Sequence, residues 1–130
     1  LYEGGTLGSN WAPRHMSVGQ TFNRNPEVRF FWKSNCTPSR PSGHHPTTIK
    51  LQAHYPSLNV NGHTLNDVIL LVGYNGHNTT SRWEDFYYAR GIGLVRFVAY
   101  DPPGSGNVVF DGRYSGSGGT APSPAPVCNP

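Results

Sequence analysis

A single all-β domain, folded as an antiparallel β-sandwich or a curled open sheet with long Gly/Pro-rich loops, is predicted by three observations. The first is periodicity: short apolar runs alternate with a period of two, and no window of about 15 residues repeats with the helical period. The second is punctuation, since 16 Gly and 12 Pro separate those runs at intervals of about 8 to 14 residues. The third is the stretch from Arg82 to Tyr100, two aromatic and β-branched runs joined at Gly91 and Gly93, where the chain can turn because glycine enters positive φ without a Cβ clash. In the second run Ile92, Leu94, Val98 and Tyr100 fall on one face and Val95, Phe97 and Ala99 on the other, with Arg96 the one interrupting charge. Apolar residues on both faces predict a strand inside the sheet rather than at its edge.

Size and charge narrow the class. A chain of 130 residues is one domain with a core of its own. Charged residues make up 13% and aromatic residues 12%, so charge-driven disorder is excluded. The net charge of +3 comes from 8 Arg and 2 Lys, no two adjacent. A nucleic-acid binder concentrates its positive charge on one face or tract, so no nucleic-acid partner is expected. No apolar segment of about 18 residues occurs, so no membrane span is expected. The opening at Leu1 is read as a processed mature form or an excised module.

Each element follows in order. Residues 1–27 are loop-rich, with one short strand near Gln20–Asn23. Val28 to Lys33 reads as a strand with Val28, Phe30 and Trp32 on its core face. From Ser34 to Pro46 the Ser, Thr, Pro, Gly and His composition predicts a surface loop. Thr47 to Tyr55 alternates Ile49, Leu51 and Ala53 against Lys50, Gln52 and His54, a half-exposed strand expected to end at Pro56. Leu58–Val60 begins another short strand, and Asn61-Gly62 supplies a tight hairpin turn. Val68–Val72 is a continuous apolar run and so a buried strand, followed by a turn from Tyr74 to Ser81. Asn107–Phe110 is a last strand closed by Asp111-Gly112. The domain is thus expected over residues 1–114, with a Gly/Ser/Pro-rich tail over 115–130.

Cys36 and Cys128, each in a polar, Pro-rich setting, are read as a disulfide that draws the tail back onto the domain and implies an oxidising compartment. Closing a loop of roughly 90 residues would contribute about 4 kcal/mol through the unfolded state, less any strain. Asn35-Cys36-Thr37 and Asn78-Thr79-Thr80 match the glycosylation pattern, making Asn35 and Asn78 possible acceptors in an extracellular protein.

The order Leu58-Asn-Val60, Leu65-Asn-Asp-Val-Ile69 and Phe86-Tyr-Tyr-Ala-Arg-Gly-Ile-Gly-Leu-Val95 resembles a pattern in secreted and lipoprotein-like bacterial antiparallel β domains. It spans about residues 58–95 and its elements are structural. The resemblance implies an extracytoplasmic β fold and no particular activity.

Chemistry-bearing patterns are sparse. Six histidines, at 15, 44, 45, 54, 63 and 77, all stand beside turns or on polar faces. A metal reading would pair His44 or His45 with His63 or His77, but solvated loop histidines account for them, so no metal and no cofactor is expected. Glu84 and Asp85 are strand neighbours aimed at opposite faces, which does not make an acid/base pair across a cleft. Asp67, Asp101 and Asp111 stand at turns. No Gly-x-Ser-x-Gly occurs at a strand-to-helix turn, and Gly91-x-Gly93 lacks the third glycine and helix of a phosphate loop, so no catalytic residue is assigned.

Aromatics are the remaining signal: three Trp, seven Tyr and six Phe exceed what the core of a small β domain needs. Phe30, Trp32, Phe86 and Phe97 are expected in the core. Trp11, Tyr74, Trp83 and Tyr88 stand next to loops and are expected to bind ligand. Sugar rings offer a face of C–H groups to an aromatic plane while Asn, Gln, Arg and Asp meet the hydroxyls. The expectation is a secreted, non-catalytic polysaccharide-binding module. The alternatives are a self-associating extracellular structural subunit, through exposed apolar strands, and a small histidine–metal enzyme.

Overall fold

The computed structural model describes residues 3–4, 12–32 and 34–116. Among them the regular structure is entirely β: β1 (Glu3–Gly4), β2 (Thr21–Arg24), β3 (Glu27–Phe31), β4 (Pro38–His44), β5 (Thr47–Val60), β6 (His63–Asn75), β7 (Arg82–Ala89), β8 (Gly93–Tyr100) and β9 (Val108–Arg113). All pairings are antiparallel, in a three-stranded sheet ordered β1-β3-β4 and a six-stranded sheet ordered β2-β5-β6-β7-β8-β9. The outer strands β2 and β9 do not pair with each other, so the large sheet is open.

Local chemistry explains its meander. Asn61 and Gly62, at φ 53° and 85°, join β5 to β6 with Val60 opposite His63. That is the two-residue turn whose centre demands two left-handed residues. Gly91, at φ 76°, serves the turn between β7 and β8. The expected hairpin from Arg82 to Tyr100 is therefore present, and β8 lies inside the sheet, flanked by β7 and β9.

The β5–β6 hairpin bends where Pro56 stands opposite Asp67, between the pairs Tyr55↔Val68 and Ser57↔Asn66. Asp67 takes φ 55° there, a conformation Asp tolerates better than most residues. Past the bend, Leu58, Val60 and Leu65 of the tip pack on Val68, Ala89 and Val95. Asn61 Nδ2 donates to the Tyr114 carbonyl at 3.3 Å, and the His63 ring meets the Tyr114 ring edge-on at 5.3 Å. These contacts hold the curled tip over one face. Leu70, Val72 and Tyr74 continue the core on that face, while Ile49, Leu51 and Leu71, with Ala12 and Met16, form it on the other.

Several expectations need correction. Residues 38–44, expected as loop, form β4: as an outer strand it needs hydrogen bonds on one side only, and Pro41 falls in a register shift between Phe30↔Arg40 and Val28↔Gly43. Pro56 does not end its strand, because β2 covers β5 only up to Lys50 and the missing N–H breaks no ladder there. Asp111-Gly112 does not close β9; both pair within it, opposite Val98 and Phe97. Trp32, expected in the core, lies past the end of β3 and is 60% exposed. Simple alternation in β8 fails at Val95, the extra residue between the pairs Tyr87↔Arg96 and Tyr88↔Leu94. That bulge lets Val95 and Val98 both be buried.

No described cysteine is a free thiol, and Cys36 is disulfide-bonded. Cys128 and the tail from residue 117 onward lie outside the described residues, as does Trp11. Among the described residues no helix is long and apolar enough to cross a membrane.

Candidate functional site

Cross-strand partners share a face of the sheet. The pairs His54↔Ile69, Ile69↔Tyr88 and Tyr88↔Leu94 therefore set four side chains in one row across β5, β6, β7 and β8. Beside the row, Asp67, Ile69, Tyr88, Ala89 and Arg90 line an open cleft of about 280 Å³. Tyr88 is half-buried, and burial pushes its phenol up from the ordinary tyrosine range. Leu94 extends the apolar strip at 49% exposure.

Charge is gathered at the cleft's other side. His54 Nε2–H donates to Asp67 Oδ1 at 2.5 Å, and Arg90 Nε–H donates to Asp67 Oδ2. These two bonds, His54 first, hold the Asp67 carboxyl below the usual carboxylate range. The backbone helps as well: Arg90 N–H donates to the Asp67 carbonyl at 3.1 Å. Asp67 thus ties the bend of β6 to the turn after β7. Arg90 commits Nε to Asp67 while its side chain remains 83% exposed, so its outer guanidinium nitrogens face solvent. An aromatic plane flanked by a fixed carboxylate, an imidazole and a guanidinium can take a ligand with one apolar face and several hydroxyls.

Of the four side chains expected to bind ligand, Tyr88 alone lies in this cleft. Tyr74 is 7% exposed and packs with Leu70 and Val72, so it presents no platform. Trp83 is half-buried at a register shift of β7, its ring 5.1 Å from that of His45. Five residues of strand place it ~17 Å from Tyr88, so the two rings make no common surface. Trp11 lies outside the described residues. Sequence reasoning missed Asp67, His54 and Arg90; the signal was His54 on the polar side of its strand.

Several other titratable groups are engaged elsewhere. Asp85 is 2% exposed; it accepts from Arg82 Nε at 2.8 Å, Arg82 Nη2 at 2.6 Å and the Tyr100 hydroxyl at 2.8 Å. Glu84 pairs with Gly73 and Ala99 on the opposite face, and burial pushes its carboxyl up. Among the described residues no three His, Cys, Asp or Glu side chains gather as a metal site. His77 donates to the Arg24 carbonyl at 2.9 Å, while His45 and His63 rest on Trp83 and Tyr114. Asn35 is exposed, whereas Asn78 is half-buried and its Nδ2 donates to the Asn75 carbonyl at 2.8 Å. No protein family, curated protein or solved structure matches this chain.

Proposed function

We propose that the protein is a secreted, non-catalytic carbohydrate-binding module whose ligand lies against Tyr88. The observation that carries this reading is the juxtaposition of the Tyr88 ring with Asp67 and Arg90 in one open cleft, the Asp67 carboxylate being held by His54 and Arg90. A pyranose would set its C–H face on Tyr88 and Ile69, while Arg90 donates to its hydroxyls and Asp67 accepts from them. Because these groups sit on paired strands, little ordering accompanies binding. Secretion is supported by the disulfide-bonded state of Cys36. In this reading its partner is Cys128, and the intact mass should rise by two hydrogen atoms per chain when reductant is added.

A glycan array followed by tyrosine and tryptophan fluorescence titration tests the binding. Saturable binding to a polysaccharide, weakened in Tyr88→Ala, is expected; absence of binding to every polysaccharide would overturn the reading.

A second reading is favoured by one specific observation. β9 is an outer strand whose Val108, Val109 and Phe110 are each more than half exposed. Such an edge can pair with a neighbouring copy, making the protein a self-associating subunit. Sedimentation velocity separates the two: the module is monomeric, and the subunit grows with concentration.

A further inference from the structure

On the opposite face, the curled β5–β6 tip leaves a second cleft, of about 100 Å³, between itself and the sheet. Tyr55, Leu58, Asn59 and Asn61 line it from the tip, and Tyr87, Arg96 and Arg113 from the strands. Its charge is unbalanced. Arg96 Nε and Nη2 donate to Asp111 Oδ1 and Oδ2, both at 3.0 Å, and Arg113 Nε and Nη2 donate to Oδ2 at 3.2 and 2.8 Å. One carboxylate therefore serves two guanidinium groups and offsets one positive charge of two. Asp85, further along the same face, is occupied by Arg82 and Tyr100.

The cleft walls carry more than charge. Tyr87 lies beneath the Arg96 guanidinium, 5.3 Å from its ring centre, and with Tyr55 provides apolar surface. Asn59 Oδ1 is used by the Gly62 N–H and Asn61 Nδ2 by the Tyr114 carbonyl. That leaves the Asn59 amide as donor and the Asn61 carbonyl as acceptor for a ligand.

We infer that this cleft is a second binding site, for the carboxylate-bearing ring of an acidic sugar, a uronate. Asp111 takes the Nε and Nη2 donors of Arg96 and Arg113, so the N–H groups on the Nη1 side of each guanidinium are left for a ligand carboxylate, and the single surplus charge matches a monoanion. The two tyrosines take the ring and the two asparagines its hydroxyls. The sugar part rests on the carbohydrate reading above; the anion part stands on the arginines alone.

The test is calorimetric titration of the full chain with galacturonate trimer, neutral galactose trimer, acetate and inorganic phosphate. The wild type should bind the galacturonate trimer at least fivefold tighter than the neutral trimer, with affinity falling as salt rises. Arg113→Gln, at an exposed edge position, should remove that preference. Asn59→Asp keeps the acceptor for Gly62 and cancels the cleft's surplus positive charge, so it should do the same with both arginines retained. Tyr88→Ala should leave the preference intact. Equal binding of both trimers, or a preference that survives Arg113→Gln and Asn59→Asp, overturns the site while leaving the Tyr88 reading standing. Acetate or phosphate competing as well as the trimer overturns the sugar part, and no binding of the galacturonate trimer overturns the site, while the Tyr88 reading then stands or falls on the glycan array.

Discussion

Replacing Asp85 with alanine is the sharpest test of how the sheet is held, because this buried carboxylate fixes β7, the strand that carries both Tyr87 and Tyr88. Three hydrogen bonds end on it, two from the Arg82 guanidinium and one from the Tyr100 hydroxyl. Hydrogen bonds to charged groups contribute about 1.5–3 kcal/mol each, and breaking a fully buried ion pair costs about 3–5 kcal/mol. Here the cost is lower, for a geometric reason. The Arg82 side chain is 41% exposed against 3% for Asp85, so the orphaned guanidinium turns to water instead of staying buried. Asp85→Ala should therefore lose about 2–3 kcal/mol, and Tyr100→Phe about 1–1.5 kcal/mol. Urea unfolding under oxidising conditions gives both values, and the double variant should fall short of their sum, since the two residues share one bond. An Asp85→Ala loss below about 0.5 kcal/mol would mean that desolvation of the carboxylate offsets its bonds and that Asp85 does not hold β7 in place.

Other outcomes follow from the same geometry. Asp67 and Asp111 sit below the usual carboxylate range, so their contribution is present above the unfolded value near 4 and lost as pH falls through the folded ones; thermal melting should drop below about pH 4. Glu84 has the opposite sign: its raised carboxyl favours folding at low pH and the benefit is lost as pH rises through the folded value, so Glu84→Gln should raise Tm at pH 7 but not at pH 4. Leu65→Ala empties part of the tip's contact with Val68 and Val95 and should cost about 2–4 kcal/mol by urea unfolding. If the β9 edge pairs between copies, Val109→Lys should shift sedimentation toward monomer without lowering Tm; an unchanged profile removes that reading.

What the sequence made legible was local. Asn61-Gly62 demanded a turn with two left-handed residues, and the runs around Gly91 and Gly93 demanded a hairpin; both are present. β4 was illegible because Pro, Ser and Gly carry no apolar period, and its pairing depends on β3 offering an edge. Pro56 reads as a break on its own, and only the limited reach of β2 makes it harmless. The burial of Tyr74 depends on the length of β6, which runs past the apolar run to Asn75. The charged part of the Tyr88 cleft joins residues 13 and 23 positions apart, and nothing at Asp67 alone announces them. Arg96, conspicuous in an apolar run, was a legible signal; its meaning needed Asp111 and Arg113 from the next strand.

Amide chemical-shift mapping by NMR, with the best polysaccharide fragment from the array titrated into labelled protein, locates the sugar on the sheet. Shifts should cluster on Asp67, Ile69, Tyr88 and Arg90, and Tyr88→Ala should weaken binding by about 1–2 kcal/mol, roughly five- to thirtyfold. Shifts confined to β9, or none at any concentration of sugar, would contradict binding at Tyr88.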